Sequence, residues 1–112
     1  MPGDLDNLAS HTVSRTTIEP EQLAQELASL GARWSLDGRD LKLELRDDKM
    51  ARYGEVAAHA TAMADEMDHH PQIVLEYGKL TLRIHTHDAD AITVMDLVFA
   101  ARLESWLRDR GW

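Results

Sequence analysis

Two short segments in which apolar and polar residues alternate around a glycine turn restrict this chain to folds that contain antiparallel strands. In the first segment, residues 34–45 alternate on either side of an Asp-Gly pair at 37–38. In the second, residues 72–84 alternate around a Gly-Lys pair at 78–79. Alternation with a period of two predicts strands with one buried face, and short glycine turns join such strands. The sequence therefore predicts two β-hairpins.

Three stretches with apolar residues at spacings of three and four surround these hairpins and predict amphipathic helices. The first ends before Gly31, a residue suited to a helix C-terminus, and the second covers residues 50–67. The third follows Thr93, which has with Asp96 the form of a capping box, and runs to about residue 108.

The resulting order, α-β-β-α-β-β-α, predicts a single α+β domain over residues 17–112, with a four-stranded antiparallel sheet and helices packed on one face. Residues 1–16 are polar and lack periodicity, so we interpret them as a flexible N-terminal tail. Four strands leave two open sheet edges, and small proteins commonly cover such edges by pairing across a two-fold axis. We therefore expect a homo-oligomer.

Composition disfavours several classes of function. The 112 residues carry 12 Lys and Arg against 20 Asp and Glu, and the net charge of −8 disfavours direct binding to nucleic acid or anionic lipid. There is no cysteine, which excludes disulfides, thiolate nucleophiles and cysteine-based zinc sites. No apolar run approaches the roughly 20 residues of a membrane span, and we expect a cytoplasmic protein that does not bind membranes.

Six histidines are the groups best suited to proton chemistry near neutral pH. Four of them lie in pairs at predicted element ends: His69 and His70 before Pro71, and His85 and His87 after the last strand. They could be ordinary polar residues, a metal site of His69 or His70 with His85 and His87, or a metal-free acid–base site. Because no carboxylate is placed by spacing to complete a metal site, the acid–base interpretation fits the residues better.

Carboxylates near these histidines are candidates for orienting an imidazole. Asp96 is suited to cap the last helix, and it could also point into a cleft beside His87. Asp68 and Asp88 each adjoin a histidine in sequence and are weaker candidates for the same task. Two further histidines are interpreted as ordinary polar residues, His11 and His59.

Several motifs at matching spacing carry a resemblance to a known family. They are Met63–Pro71 with its Asp68-His69-His70-Pro71 ending, Tyr77, Thr86-His87-Asp88, Thr93 with Asp96, and upstream Trp34 with the Gly38-Arg39 turn. In this combination they resemble the pterin-4a-carbinolamine dehydratase family over about residues 18–108.

The resemblance implies a hydro-lyase that converts 4a-hydroxytetrahydropterin to quinonoid dihydropterin and water in tetrahydrobiopterin recycling, without a cofactor. It also implies a homo-oligomer, either a dimer or a tetramer. Two functions from other classes stay open at this point. One is a non-catalytic binding or regulatory module on the same fold, similar to a dimerisation cofactor, and the other is a metal-dependent hydrolase.

The resemblance further implies roles for individual residues. His69 and His87 would be the acid–base pair, and Asp96 would orient a histidine. Substrate-binding roles would fall to His70, Pro71, Thr86, Asp88 and, as a stacking residue that is otherwise expected in the core, Trp34.

Overall fold

Hairpins and helices follow one another along the chain in the order that the sequence predicts. The structure is a computed structural model that describes Ala9, residues 16–47 and residues 49–112. Its elements are α1 (Pro20–Leu30), β1 (Trp34–Asp37), β2 (Asp40–Leu45), α2 (Met50–Met67), β3 (Gln72–Glu76), β4 (Lys79–Ile84) and α3 (Val94–Asp109). The predicted tail, residues 1–16, lies outside the described residues except for Ala9 and Thr16. The α+β class and the order of its elements are confirmed.

The four strands form one antiparallel sheet in the order β1-β2-β4-β3. The two hairpins meet where β2 pairs with β4, in a register that places Leu41 opposite Ile84. Cross-strand partners lie on the same face of a sheet, so this register collects the apolar side chains of both strands on one side. Both hairpin turns require a positive φ, which Gly38 supplies at 61° and Gly78 at 82°.

The helices pack on this apolar face and enclose the core with it. Buried side chains of β2 and β4 meet those of the two longer helices, which include Tyr53, Val56 and Ala60 from α2 and Leu97, Phe99, Leu103 and Leu107 from α3. Full burial of such a side chain contributes about 2 kcal/mol. The other face of β2 and β4 carries charged residues, among them Lys42 and Arg83, which are only half-buried.

A buried glutamate joins α3 to the first hairpin. Glu104 is 1% exposed, and its carboxylate accepts a hydrogen bond from Trp34 Nε1 at 2.9 Å. The same carboxylate pairs with Arg33 Nε at 3.0 Å and with Arg108 Nε at 2.7 Å. Three donors compensate for the removal of this charge from water, so the cluster fixes how α3 lies against β1.

Candidate active site

The end of α2 turns the chain so that two adjacent histidines point in different directions. Asp68 takes up the left-handed conformation, with φ 51° and ψ 47°, and the His69 amide donates to the Ala64 carbonyl at 2.9 Å. This closes the helix, and Pro71 then restricts His70 to an extended backbone. As a result His69 is 6% exposed, whereas His70 lies on the surface.

The buried His69 side chain contacts a buried carboxylate from the start of α3. His69 Nε2 lies 2.5 Å from Oδ1 of Asp96, whose side chain is fully buried. The other oxygen, Oδ2, accepts from the Thr86 hydroxyl at 2.8 Å and from the Thr93 amide at 2.8 Å. Asp96 is therefore the acceptor for three donors that come from three separate parts of the chain.

The hydroxyl groups beside Asp96 form an ordered chain. Thr86 uses its single hydroxyl proton to donate to Asp96 Oδ2. Thr86 Oγ1 then accepts from Thr93 Oγ1, which lies 2.7 Å away, and Thr93 Oγ1 in turn accepts from the Met95 amide at 3.2 Å.

This arrangement determines the tautomer of His69. With Nε2–H donating to Asp96, the neutral ring carries its lone pair on Nδ1, which has no hydrogen-bond partner among the described residues. The sequence offered two roles for Asp96, and the structure places it where it can perform both, because it caps α3 and contacts an imidazole. The imidazole in hydrogen-bond contact is that of His69.

A second group of histidines follows β4. His85 Nδ1 lies 2.8 Å from Oδ1 of Asp40, at the start of β2. The ring of His87 meets that of His85 edge to face, with centroids 4.3 Å apart and planes at 62°. Across the site, His70 Nε2 lies 3.1 Å from Asp65 Oδ1 on the exposed side of α2.

Two clefts open at this end of the sheet, and both are lined by His70 and His87. The larger has a volume of about 250 Å³ and includes Asp40, Arg83 and His85 in its lining. The smaller, of about 160 Å³, is lined by Asp68, His69, His70, Thr86, His87 and Asp88. Since they share two lining side chains, the clefts are neighbours.

Comparison with known proteins assigns the chain to a family. The family model described as pterin 4 alpha carbinolamine dehydratase matches residues 16–106 of the chain. The chain belongs to this family. The resemblance inferred from the histidine motifs is thus confirmed.

Individual members agree with this assignment, and one solved structure shares the fold. A dehydratase-family relative from Streptomyces coelicolor, provisionally named a pterin-4-alpha-carbinolamine dehydratase, is 30% identical over 95 residues, which cover 84% of this chain and 93% of the relative. Another from Paraburkholderia xenovorans, with the same provisional name, is 33% identical over 91 residues, covering 79% and 93%. The crystal structure of a transcriptional coactivator/pterin dehydratase from Brucella melitensis has a TM-score of 0.72 at 21% identity and covers 80% of this chain and 97% of that one.

The structure brings most of the predicted site residues of this dehydratase-family chain together. The smaller cleft is lined by five of them: His69, His70, Thr86, His87 and Asp88. Asp96 lies behind His69. Pro71 follows the turn that makes His69 and His70 point in different directions. Trp34 lies in the core, 3% exposed, with its indole on Glu104 and apart from both clefts.

Asp40 and Arg83 are cleft residues that sequence reasoning did not identify. The signal for Asp40 is the strand register, which continues beyond Leu41 and Ile84 to place Asp40 beside His85. Arg83 is paired with Asp37, and the hydrogen bond from this guanidinium lowers the pKa of the Asp37 carboxyl below its ordinary value.

The described residues show neither a metal-binding cluster nor a membrane-spanning helix. Among them, no group of three or more His, Asp or Glu side chains is arranged to hold a metal ion. Within that same part of the chain, no helix combines the length and the apolar character needed to cross a membrane.

Proposed function

We propose that this chain catalyses the dehydration of a 4a-hydroxytetrahydropterin to the quinonoid dihydropterin and water, a step of tetrahydrobiopterin recycling. Membership of the family supports the substrate class and the reaction. The observation that carries the proposal is the buried Asp96–His69 pair, which lies at the smaller cleft together with His87.

The reaction requires two proton transfers and no change of oxidation state. The C4a–O bond breaks, and the departing hydroxyl takes up one proton to leave as water. N5 gives up one proton as its electron pair forms the double bond to C4a. Two groups that exchange protons near neutral pH therefore suffice, and imidazole is the side chain best suited to both transfers.

His69 supplies one of these groups. Its Nδ1 carries the lone pair, and the ring is held in this tautomer by the carboxylate on its other nitrogen. When Nδ1 takes a proton from the substrate, the negative charge of Asp96 compensates the positive charge that develops on the ring. The buried carboxylate thus orients the ring and stabilises the form that returns the proton.

His87 supplies the second group. Its ring is exposed and lines both clefts, so a substrate in either cleft lies beside it. We assign substrate binding to His70 and Asp88, which present polar groups at the surface of the smaller cleft. Thr86 serves the site through Asp96, because its hydroxyl is committed to that carboxylate.

Stopped-flow measurement of the decay of enzymatically generated 4a-hydroxytetrahydropterin tests the proposed activity. We expect the wild-type chain to accelerate the decay over buffer, and His87→Ala to lower kcat by about 10²–10⁴-fold, the usual contribution of a general acid or base. The matched control is His59→Ala, since His59 lies on α2 stacked against Trp106 and lines neither cleft. A wild-type chain that does not accelerate the decay would exclude the dehydratase and favour the non-catalytic module on the same fold.

The separate roles of the adjacent histidines are tested in the same assay. His69→Ala should lower kcat, whereas His70→Ala should mainly raise KM, because the first removes a proton-transfer group and the second a binding group. If His69→Ala, His70→Ala and His87→Ala all bound substrate more weakly but turned over at the wild-type rate, this division would be contradicted.

We propose in addition that the chain acts as a homo-oligomer, a dimer or a tetramer. β3 is an edge strand of the sheet, and the apolar side chains of Val74 and Leu75 are more than 40% exposed, as is that of Tyr77 beyond the strand. Pairing through such an edge would satisfy its free backbone groups and cover these side chains. Sedimentation analysis at micromolar concentration tests this, and a monomer would contradict it.

A further inference from the structure

The strand register creates a second carboxylate–imidazole pair outside the Asp96–His69 pair. The last cross-strand pair between β2 and β4 is Leu41 with Ile84, and Asp40 and His85 occupy the next position toward the clefts. Their side chains meet through Nδ1 and Oδ1 at 2.8 Å, and they are only 24% and 14% exposed. The tautomer with Nδ1–H donating to the carboxylate leaves the lone pair of His85 on Nε2.

His87 differs from the other three histidines of the site in how it is held. His69, His70 and His85 each contact a carboxylate, those of Asp96, Asp65 and Asp40 respectively. The side chain of His87 has no hydrogen-bond partner among the residues that the structure describes. Its ring contact is with His85, edge to face at 4.3 Å.

An exposed imidazole without a hydrogen-bond partner samples several rotamers, and only one of them places its nitrogen against a given substrate atom. An edge-to-face contact with an immobile ring restricts this sampling. His85 is held in place by its partial burial and by its contact with Asp40, which lies on a different strand. The pair thus connects the paired strands of the sheet to His87, the more exposed of the two proton-transfer groups.

We propose that Asp40 and His85 are positioning residues that hold His87 in its reactive orientation. This inference rests on the proposed dehydration, in which His87 exchanges a proton with the substrate. His85 acts through the surface of its ring and Asp40 through the orientation of that ring. Neither residue transfers a proton in this scheme.

Three substitutions measured by stopped flow test the proposal. His85→Ala removes the ring, and we expect kcat to fall about tenfold with KM changed less than twofold, since misplacement of a reacting group by about 1 Å can cost up to 10²-fold. His85→Phe keeps an aromatic surface at this position but loses the hydrogen bond to Asp40, so its kcat should lie between those of His85→Ala and wild type. Asp40→Asn keeps an oxygen that accepts from His85 Nδ1–H, so it should lower kcat by less than His85→Phe does.

A control substitution in the loop that follows His85 accounts for changes that are merely structural. Asp90 is exposed, pairs with Arg39 and has a positive φ of 50°, which asparagine tolerates. Asp90→Asn should therefore leave kcat within twofold of wild type. Thermal unfolding of each variant by circular dichroism checks that the fold is retained at the assay temperature.

The rotamer state of His87 supplies a readout that does not depend on activity. Side-chain coupling constants from NMR should report one dominant χ1 rotamer in wild type and in His85→Phe, and averaging in His85→Ala. An inactive wild type would count against the proposed function alone, since the coupling constants still test the positioning. A folded His85→Ala with wild-type kcat and an unaveraged His87 would overturn the inference, as would His85→Phe with the same loss as His85→Ala.

Discussion

Replacement of Asp96 by asparagine changes one oxygen of the buried carboxylate into an amide nitrogen. The two possible orientations of the amide are not equivalent. The Thr93 amide is a backbone donor that cannot become an acceptor, so the remaining oxygen must stay toward it and toward Thr86. The new NH₂ group therefore faces His69 Nε2, and the ring must shift its proton to Nδ1 to accept from it.

The size of the effect follows from this geometry. For Nδ1 to act as a base, Nε2–H must face the amide NH₂, which leaves two buried donors unpaired at about 1–3 kcal/mol each. Since about 1.4 kcal/mol corresponds to tenfold in rate, we expect Asp96→Asn to lower kcat by about 10²–10⁴-fold. The two retained hydrogen bonds also lose their charge assistance, which destabilises the fold by about 2 kcal/mol in total.

Two measurements check these values. Stopped-flow kinetics gives kcat, and urea unfolding gives the change in the free energy of unfolding. The same substitution at Asp65, whose side chain is exposed and pairs with His70, should change that free energy by less than about 1 kcal/mol. If folded Asp96→Asn kept kcat within fivefold of wild type, Asp96 would not control the tautomer of His69 and the mechanism proposed for this ring would be refuted.

Three further predictions concern the fold. Glu104→Ala should destabilise the chain by about 1–3 kcal/mol in urea unfolding, because it leaves the buried Trp34 indole N–H without its acceptor and removes the partner of two partly exposed arginines. Glu76→Ala, at an exposed pair, should cost less than about 1 kcal/mol. Burial, with a smaller contribution from Arg110, lowers the pKa of His59 from 6.5, so the unfolded chain binds this proton more readily and stability is lost as the pH falls below about 6.5. His59→Phe should reduce the loss measured between pH 7.5 and pH 5.5, and parallel curves for the two proteins would contradict the shift. Asp68→Val should destabilise the chain by about 1–2 kcal/mol, because a β-branched residue is strained at a φ of 51°. The matched comparison is Asp68→Gly, which should be at least as stable as wild type in the same urea unfolding, because glycine adopts a positive φ without strain.

The order of the elements could be predicted from the sequence because each depends on local periodicity. The alternation around the two glycine turns determines the hairpins, and the three helices end at or near the expected residues. The Thr93 and Asp96 cap was also predictable, since a capping box connects residues three positions apart. These features require no knowledge of which elements meet in space.

The partners of the site residues could not be predicted in the same way. The contact between Asp96 and His69 joins residues 27 positions apart and depends on how α3 packs against the end of α2. Whether Trp34 lies in the core or in the site was likewise decided by a distant residue, Glu104. His85 gained a partner only when the register of β2 against β4 was known.

The double attachment of Asp96 has a consequence for how sequences of this fold are interpreted. This side chain closes the first turn of α3 and also holds His69, so a descendant that abandoned catalysis would still gain stability from the carboxylate. An aspartate at this position is therefore a poor indicator of activity. His87 makes no comparable structural contribution among the described residues, because its side chain is exposed and forms no hydrogen bond with them. Under the proposed mechanism, the presence or absence of His87 is the better criterion for separating active dehydratases from chains that use the same scaffold only for binding.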